Sequence, residues 1–455
     1  MNIISKQLAG ILIATGLVII LALNIFLIQP ISIGLILSAG LILTVIYLYN
    51  PLWGILLFIT IRPSIDQFSE KLSINIGDTL VLSGSSFLGI LLIILSIILL
   101  SKSIKKIPRQ SLLIFWMLYL LSILISIIFS IDKAISLYEF IRVLSIFMIF
   151  INALILIRNK KDFTYSIYAV LVSAILPVLL ALYQMVTGSG IGSNGLESRL
   201  FGTFTHPNAF ASFVVIMISL VVFLIIKEKN NKGKNIANWI LYATLFISII
   251  ILLATFSRGA LLAFIVFIFI LSLLKSPKYI LFAVILFVIV FATSQDFRDR
   301  TEDIYNPPAD SSIRWRFQQW DKMYKIYTEN PIKGYGAGTE IIIHEKEFGF
   351  YAGNPYTHND ILRSALETGV LGVITFSLLW IITIVTLFIQ FIKTKEKNKK
   401  LFLLLIFALI VSEFIFSISS NIFRGTATQW TLWFLIGTAL ASPLSFLRKQ
   451  ESIRR

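Results

Sequence analysis

Cysteine is absent from the chain, so neither a disulfide framework nor a thiolate metal site can form. Histidine occurs three times, at His206, His344 and His358, which leaves little material for a histidine-based metal centre. Paired carboxylates with metal-site spacing are missing too: Glu345 and Glu347 flank Lys346, with Glu340 nearby, and nothing in that pattern builds a Mg²⁺ cage. The run GYGAG at Gly334–Gly338 lacks the lysine of a phosphate-binding loop and the strand-turn-helix frame of a dinucleotide fold, so it reads as a flexible turn. Acidic residues are scarce, 23 against 39 lysines and arginines, for a net charge of +16. Because that excess sits in short connections between apolar runs, it signals membrane orientation rather than nucleic-acid binding.

What the sequence has in abundance is apolar residues, 57% of 455 positions, with a mean hydropathy of +0.89, outside the range of soluble domains. An all-α polytopic membrane protein follows, in contact with the lipid bilayer along most of its length. Apolar segments near 7–28, 31–49, 51–61, 81–101, 111–130, 135–157, 164–186, 207–226, 236–255, 258–274, 278–293, 361–391, 401–420 and 428–447 predict twelve to fourteen spans. Most reach the roughly 20 residues a bilayer core demands, and 51–61 reads as a short or tilted helix. Lys6 precedes the first run with no small-residue cleavage site, which predicts a retained span. The chain divides into a transmembrane bundle over 1–293, a large loop over 294–360 and further spans over 361–455, all one membrane domain.

Basic clusters fall at alternate connections: Lys102 to Arg109, Arg158 to Lys161, Lys227 to Lys234, Lys275 and Lys278, Lys393 to Lys400, and Arg448 to Arg455. Placing these inside puts both termini in the cytoplasm and the connections 62–80, 130–134, 187–206, 256–258, 294–360 and 421–427 outside. The outward loop 294–360 nearly balances its charges and is the expected seat of chemistry. Asp310, Ser311 and Ser312 offer caps to a helix running to about Asn330, stopped by Pro331. Its Phe317, Trp320, Tyr324 and Tyr327 make an aromatic stripe suited to a membrane surface or a cavity mouth.

The polar residues on the outer side are Arg199, His206, Asn208, Arg258, Arg314, Arg316, His344, His358, Asn359 and Arg424. A guanidinium, always charged and able to fork onto oxyanions, suits a diphosphate far better than a neutral sugar. Arg258 is the most constrained, because Ser257, Arg258 and Gly259 must turn tightly between two apolar runs and hold the charge at the membrane boundary. In RLFGTFTHPNAFASFVV, Pro207 marks the first helical turn with Thr205 as its expected cap, and His206 reads as a capping or hydrogen-bonded group. Within the spans, Glu139 and Arg142 lie one turn apart and neutralise one another, while Glu413 has no local partner. In THNDILRSALETGVLG, His358 and Asn359 precede a helical run, and a helix continued from them would stack Gly369 and Gly372 below His358 on one stripe.

FGTFTHPNAFA, then SRGALLAF, then RWRFQQW and NPIKGYGAG, and finally HNDILRSALETGVLG, in that order over about residues 199–372, resemble the O-antigen ligase family and its neighbours, the Wzy-type O-antigen polymerases. The resemblance implies an inverting transfer, independent of metal or other cofactor, of a glycan from an undecaprenyl-diphosphate-linked donor to an acceptor sugar. In ligases that acceptor is the lipid A core, at the periplasmic face of the bacterial inner membrane. It also implies that His358 is the essential histidine, with Arg258 and Arg316 as the essential arginines. Arg314, Asn359, His206, Asn208 and Arg199 are the candidate substrate-binding residues beside them. Readings left beside the ligase are a polymerase or a protein O-oligosaccharyltransferase, with the same chemistry on another acceptor, and a lipid-linked glycan transporter that binds diphosphate without reaction.

Overall fold

The computed structural model describes residues 31–69, 73–76, 79–104, 107–108, 110–193, 196–229, 236–293, 298, 302, 312–349 and 356–441. Helices α1 (Ile31–Tyr49), α2 (Pro51–Ile65), α3 (Gly84–Ser103), α4 (Ser111–Ile128), α5 (Lys133–Leu156), α6 (Lys160–Ser173) and α7 (Ile175–Thr187) come first. They are followed by α8 (Pro207–Lys229), α9 (Ile236–Ala254), α10 (Arg258–Leu274) and α11 (Lys278–Thr293). Two helices outside the apolar runs, α12 (Ser312–Glu329) and α13 (Glu340–Phe348), lead to α14 (Asp360–Lys393), α15 (Lys397–Ile418), a short 3₁₀ turn at Ile422–Arg424 and α16 (Thr426–Leu440). Two antiparallel hairpins, β1 (Ser73–Ile76) with β2 (Thr79–Ser83) and β3 (Ile191–Ser193) with β4 (Leu196–Arg199), decorate helix ends.

Seven helical stretches among the described residues are long and apolar enough to cross a membrane, α6 and α7 counting as one, and four shorter apolar helices accompany them. The protein is an all-α polytopic membrane protein. The expected first span, 7–28, lies outside the described residues. Ile114, Leu121 and Ile128 of α4 and Trp239 and Phe246 of α9 are exposed, an apolar belt that a water-facing domain would not leave open. By contrast α5, α8, α15 and α16 are buried through most of their length and form the centre. α16 packs along α5, α14 packs between α4 and α15, and α10 lies against α15. Polar glue joins these apolar surfaces: Tyr47 donates its hydroxyl to Asn152 Oδ1 at 2.5 Å, and Asn152 Nδ2 donates to Ser96 Oγ at 2.7 Å. Such interhelical bonds are worth about 0.6 kcal/mol each on average within a membrane.

Local departures from the sequence pattern have identifiable causes. The short segment at 51 is a 15-residue helix that Asn50 caps and that runs through Pro63. The apolar run 164–186 is broken at Ala174 into α6 and α7. α12 ends at Glu329, one residue before its expected stop, and it begins at Ser312; the expected caps Asp310 and Ser311 lie outside the described residues. The residue before α8 is His206, so the cap falls there instead of on Thr205, which is exposed.

The stripe expected from His358 through Gly369 and Gly372 does not form. Asn359 is the cap of α14 rather than part of it, and Gly369 takes φ 66° and ψ −165°, kinking the helix. The cause is close backbone packing. A β-carbon on Gly369 would stand 2.2 Å from the carbonyl oxygen of Ile332, and one on Gly334 would stand 2.6 Å from that of Glu367. Tyr335 N–H donates to Leu366 O at 2.9 Å, Gly336 N–H to Glu367 O at 2.8 Å and Val370 N–H to Pro331 O at 2.8 Å. The GYGAG run is therefore a strap that takes up carbonyls at the kink.

Candidate active site

The site lies at the end of the bundle where α8, α10 and α14 begin and α15 finishes. From there α8 runs to Lys227 and Lys229, α10 to Lys275 and α14 to Lys393, while α15 returns from Lys397. The lysine-rich connections are thus at the opposite end.

Arg199 closes β4 and is fixed by the α9–α10 turn. Its Nε donates to Thr255 O at 2.9 Å and its Nη2 to Asn208 Oδ1 at 3.2 Å, while Leu200 N–H donates to Ala254 O at 3.2 Å. The loop between Arg199 and His206 is held by Gln184, whose Oε1 accepts the N–H groups of Phe201 and Gly202 at 3.1 and 2.9 Å. Thr203 adds a hydroxyl bond to Pro63 O at 2.6 Å. His206 Nδ1 accepts the N–H of Asn208 at 3.0 Å, which satisfies one free donor at the start of α8 and leaves Nε2 as the protonated nitrogen of the neutral ring. Asn208 Nδ2 in turn donates to Ser420 Oγ at 3.4 Å.

Arg258 is the first residue of α10, and Ser257 caps that helix by accepting Ala260 N–H at 3.4 Å. The turn is tight enough to place Phe256 at φ 47°. Gly259 packs on Phe416 and Ser419, where an added β-carbon would lie 2.9 Å from Ser419 Oγ. Arg316 of α12 reaches the same residue, donating Nη1 to Ser419 O at 2.9 Å. The SRG turn and the loop arginine therefore meet at one residue, the end of α15. Arg314 is exposed, and its helical spacing from Arg316 puts it on another side of α12.

His358 stands beside this group. Its ring centroid is 6.2 Å from that of His206, and its backbone takes φ 52°. Phe256 and His358 are the only non-glycine residues with left-handed backbone among the described residues, and they flank the two motifs that supply the site. Such conformations cluster where surrounding structure over-determines them. Asn359 Oδ1 accepts Ile361 and Leu362 N–H at 3.0 Å each, so its side-chain oxygen is engaged as the cap of α14.

Both imidazoles are kept neutral. Burial pushes the pKa of His206 down to about 4, assisted by the nearby charges of Arg199 and then Arg316. His358 is held well below its ordinary value, first by desolvation and then by Arg316, His206, His344 and Arg199. A neutral imidazole in a positive field accepts a proton only when a negative charge is near to balance it. His344 lies one layer away on α13, with its Nε2 2.5 Å from Gln319 Nε2 of α12, and burial lowers its pKa as well.

Behind His358 lies an ionic network of four carboxylates and three guanidiniums. Arg363 contacts Asp360 at 3.1 Å and both Glu139 and Glu367 at 3.3 Å. Arg142 pairs with Glu139 at 2.7 Å, and Arg424 contacts Glu340 at 3.0 Å and Glu367 at 2.9 Å. The Glu139–Arg142 pair is thus one edge of a larger structure that also takes in Asp360, Arg363 and Glu367, at helical spacing on α14, together with Glu340 and Arg424. Glu413, deep in α15, takes the Ser212 hydroxyl of α8 at 2.7 Å.

Residues 243–377 match the family model described as O-Antigen ligase. This stretch, less than half of the chain, is similar to the O-antigen ligase family. No curated protein matches the chain. The matched stretch takes in Arg258, Arg314, Arg316, His344, His358, Asn359 and the Gly369 kink, whereas Arg199, His206, Asn208, Ser419 and Arg424 come to the site from outside it.

Proposed function

We propose that the protein is an O-antigen ligase-type glycosyltransferase that moves a glycan from a polyprenyl diphosphate, undecaprenyl diphosphate in bacteria, to the hydroxyl of an acceptor sugar. The observation that carries this reading is the meeting of Arg316, Arg199 and His206 around a neutral His358, with the Arg258 turn seated on the same Ser419. An activated donor needs no nucleotide, and its diphosphate leaves readily once its charge is matched.

In the proposed step, His358 takes the proton of the acceptor hydroxyl as that oxygen attacks the anomeric carbon from the face opposite the diphosphate. The new glycosidic bond forms, the bond from the anomeric carbon to the diphosphate oxygen breaks with its electron pair, and the configuration inverts. Arg258 and Arg316 hold the diphosphate and stabilise the charge left on the departing oxygen. Arg199 and His206 line the donor side and Asn208 orients Arg199. The arriving diphosphate supplies the negative charge that lets His358 accept a proton, so base and donor are coupled.

The lysine-rich ends opposite the site favour a site on the periplasmic face of the inner membrane, with both termini in the cytoplasm. We assign the lipid A core as acceptor on the strength of the match of residues 243–377 to the O-antigen ligase family. The test is to supply the purified protein with undecaprenyl-diphosphate-linked glycan and, in separate arms, lipid A core, a second lipid-linked glycan or an acceptor protein. Extension of lipid A core supports the ligase; extension of the second donor or of protein reassigns it as a polymerase or a protein glycosylation enzyme; binding without transfer makes it a transporter.

A further inference from the structure

Glu340 is the first residue of α13, fully buried, and every oxygen of its carboxylate is engaged with segments distant in sequence. Oε1 accepts the backbone N–H of Thr357 at 2.7 Å and a short bond from the Thr357 hydroxyl. Oε2 accepts Arg424 Nε at 3.1 Å, and Asn421 Nδ2 lies 3.2 Å from both oxygens. Thr357 is itself fully buried, and its carbonyl accepts Trp320 Nε1 at 2.6 Å. All polar atoms of the residue preceding His358 are thereby held, the donors by Glu340 and the acceptor by α12. On the other side Asn359 is locked as the cap of α14. Between two pinned neighbours, His358 is left with the left-handed backbone at φ 52° that aims its ring at His206.

We propose that Glu340 is a positioning residue for His358, acting through Thr357. This rests on the proposed role of His358 as base. The carboxylate does three tasks in one place: it grips the Thr357 N–H and hydroxyl, fixes Arg424 and Asn421 of the turn after α15, and so ties the base to the segment that carries Ser419. A general base must be held to within fractions of an ångström of its proton, and small misplacements of such a group cost about 10²-fold in rate.

The experiment uses the purified full chain, the polyprenyl-diphosphate glycan donor and the acceptor found to be extended, with Thr357→Val, Thr357→Ser, Glu340→Gln and His358→Ala measured side by side. Thr357→Val keeps size and the backbone N–H but removes the hydroxyl bond. The expected result is a kcat lowered by ~10- to 100-fold with donor KM within about twofold of wild type and thermal stability little changed. Thr357→Ser restores kcat, and Glu340→Gln lowers kcat in the same direction as Thr357→Val. A wild-type kcat in Thr357→Val overturns the proposal, as does a loss in which kcat, KM and stability fall together and serine fails to restore them. Full activity in His358→Ala overturns the base assignment itself, whereas an inactive His358→Ala beside an unaltered Thr357→Val overturns only the role of Glu340.

Discussion

The imidazoles of His206 and His358 face one another with ring centroids 6.2 Å apart, one from the loop that starts α8 and the other from the loop that starts α14. Two helix starts bring them together, and burial, assisted by the positive charge of Arg199 and Arg316, keeps both rings neutral.

The pH profile of transfer follows from that field. His358 is held well below its ordinary value by desolvation, then by Arg316, His206, His344 and Arg199, so its neutral form persists into mildly acidic solution. The acid limb of kcat/KM, which reports the free enzyme, is expected below pH ~6.5. Arg316→Gln removes the largest charge opposing protonation, so it raises the pKa and moves the acid limb upward. A limb that stays put in Arg316→Gln contradicts the arrangement.

Stability depends on His206 in the same pH region. Its folded pKa near 4 lies below its unfolded value, so the unfolded chain binds the extra proton between those values. The contribution is fully present above the unfolded value and is lost as pH falls from about 6.5 towards 4. Thermal unfolding in detergent should therefore show a drop in Tm across this window that is smaller in His206→Gln.

Arg258 and Arg316 are expected to matter through charge on the leaving diphosphate. Alanine at either position should lower turnover by roughly 10²- to 10³-fold, the scale for losing one preorganised donor. Arg316→Lys should recover only part, because one ammonium cannot both reach Ser419 O and present a planar fork. Single-turnover transfer with excess acceptor measures this.

The ionic network carries a stability prediction. Arg363→Ala leaves Glu139, Asp360 and Glu367 without their shared cation in a buried site, a change that costs about 3–5 kcal/mol when one partner of a buried pair is removed. The variant should fail to accumulate as a monodisperse species in detergent gel filtration, whereas Arg314→Ala, on an exposed residue, should accumulate normally.

Composition was enough to reveal the membrane class, because a hydropathy of this size has one physical outcome. Motif order was enough to bring Arg258, Arg316 and His358 forward, and the structure places Arg316 and the Arg258 turn on one residue, Ser419. The kink at Gly369 was not legible, since periodicity cannot report that the Ile332 carbonyl approaches from a strap 37 residues away in sequence (369 less 332). Nor was Glu340: in sequence it is one glutamate among several, and only the return of Thr357, Asn421 and Arg424 to its carboxylate distinguishes it.

The central claim is that His358 takes the proton of the acceptor hydroxyl, and the most direct measurement is single-turnover glycan transfer by His358→Ala with a wild-type gel-filtration profile. The account predicts a rate lowered by at least about 10²-fold while binding of the diphosphate donor is retained. Transfer at an undiminished rate would contradict it.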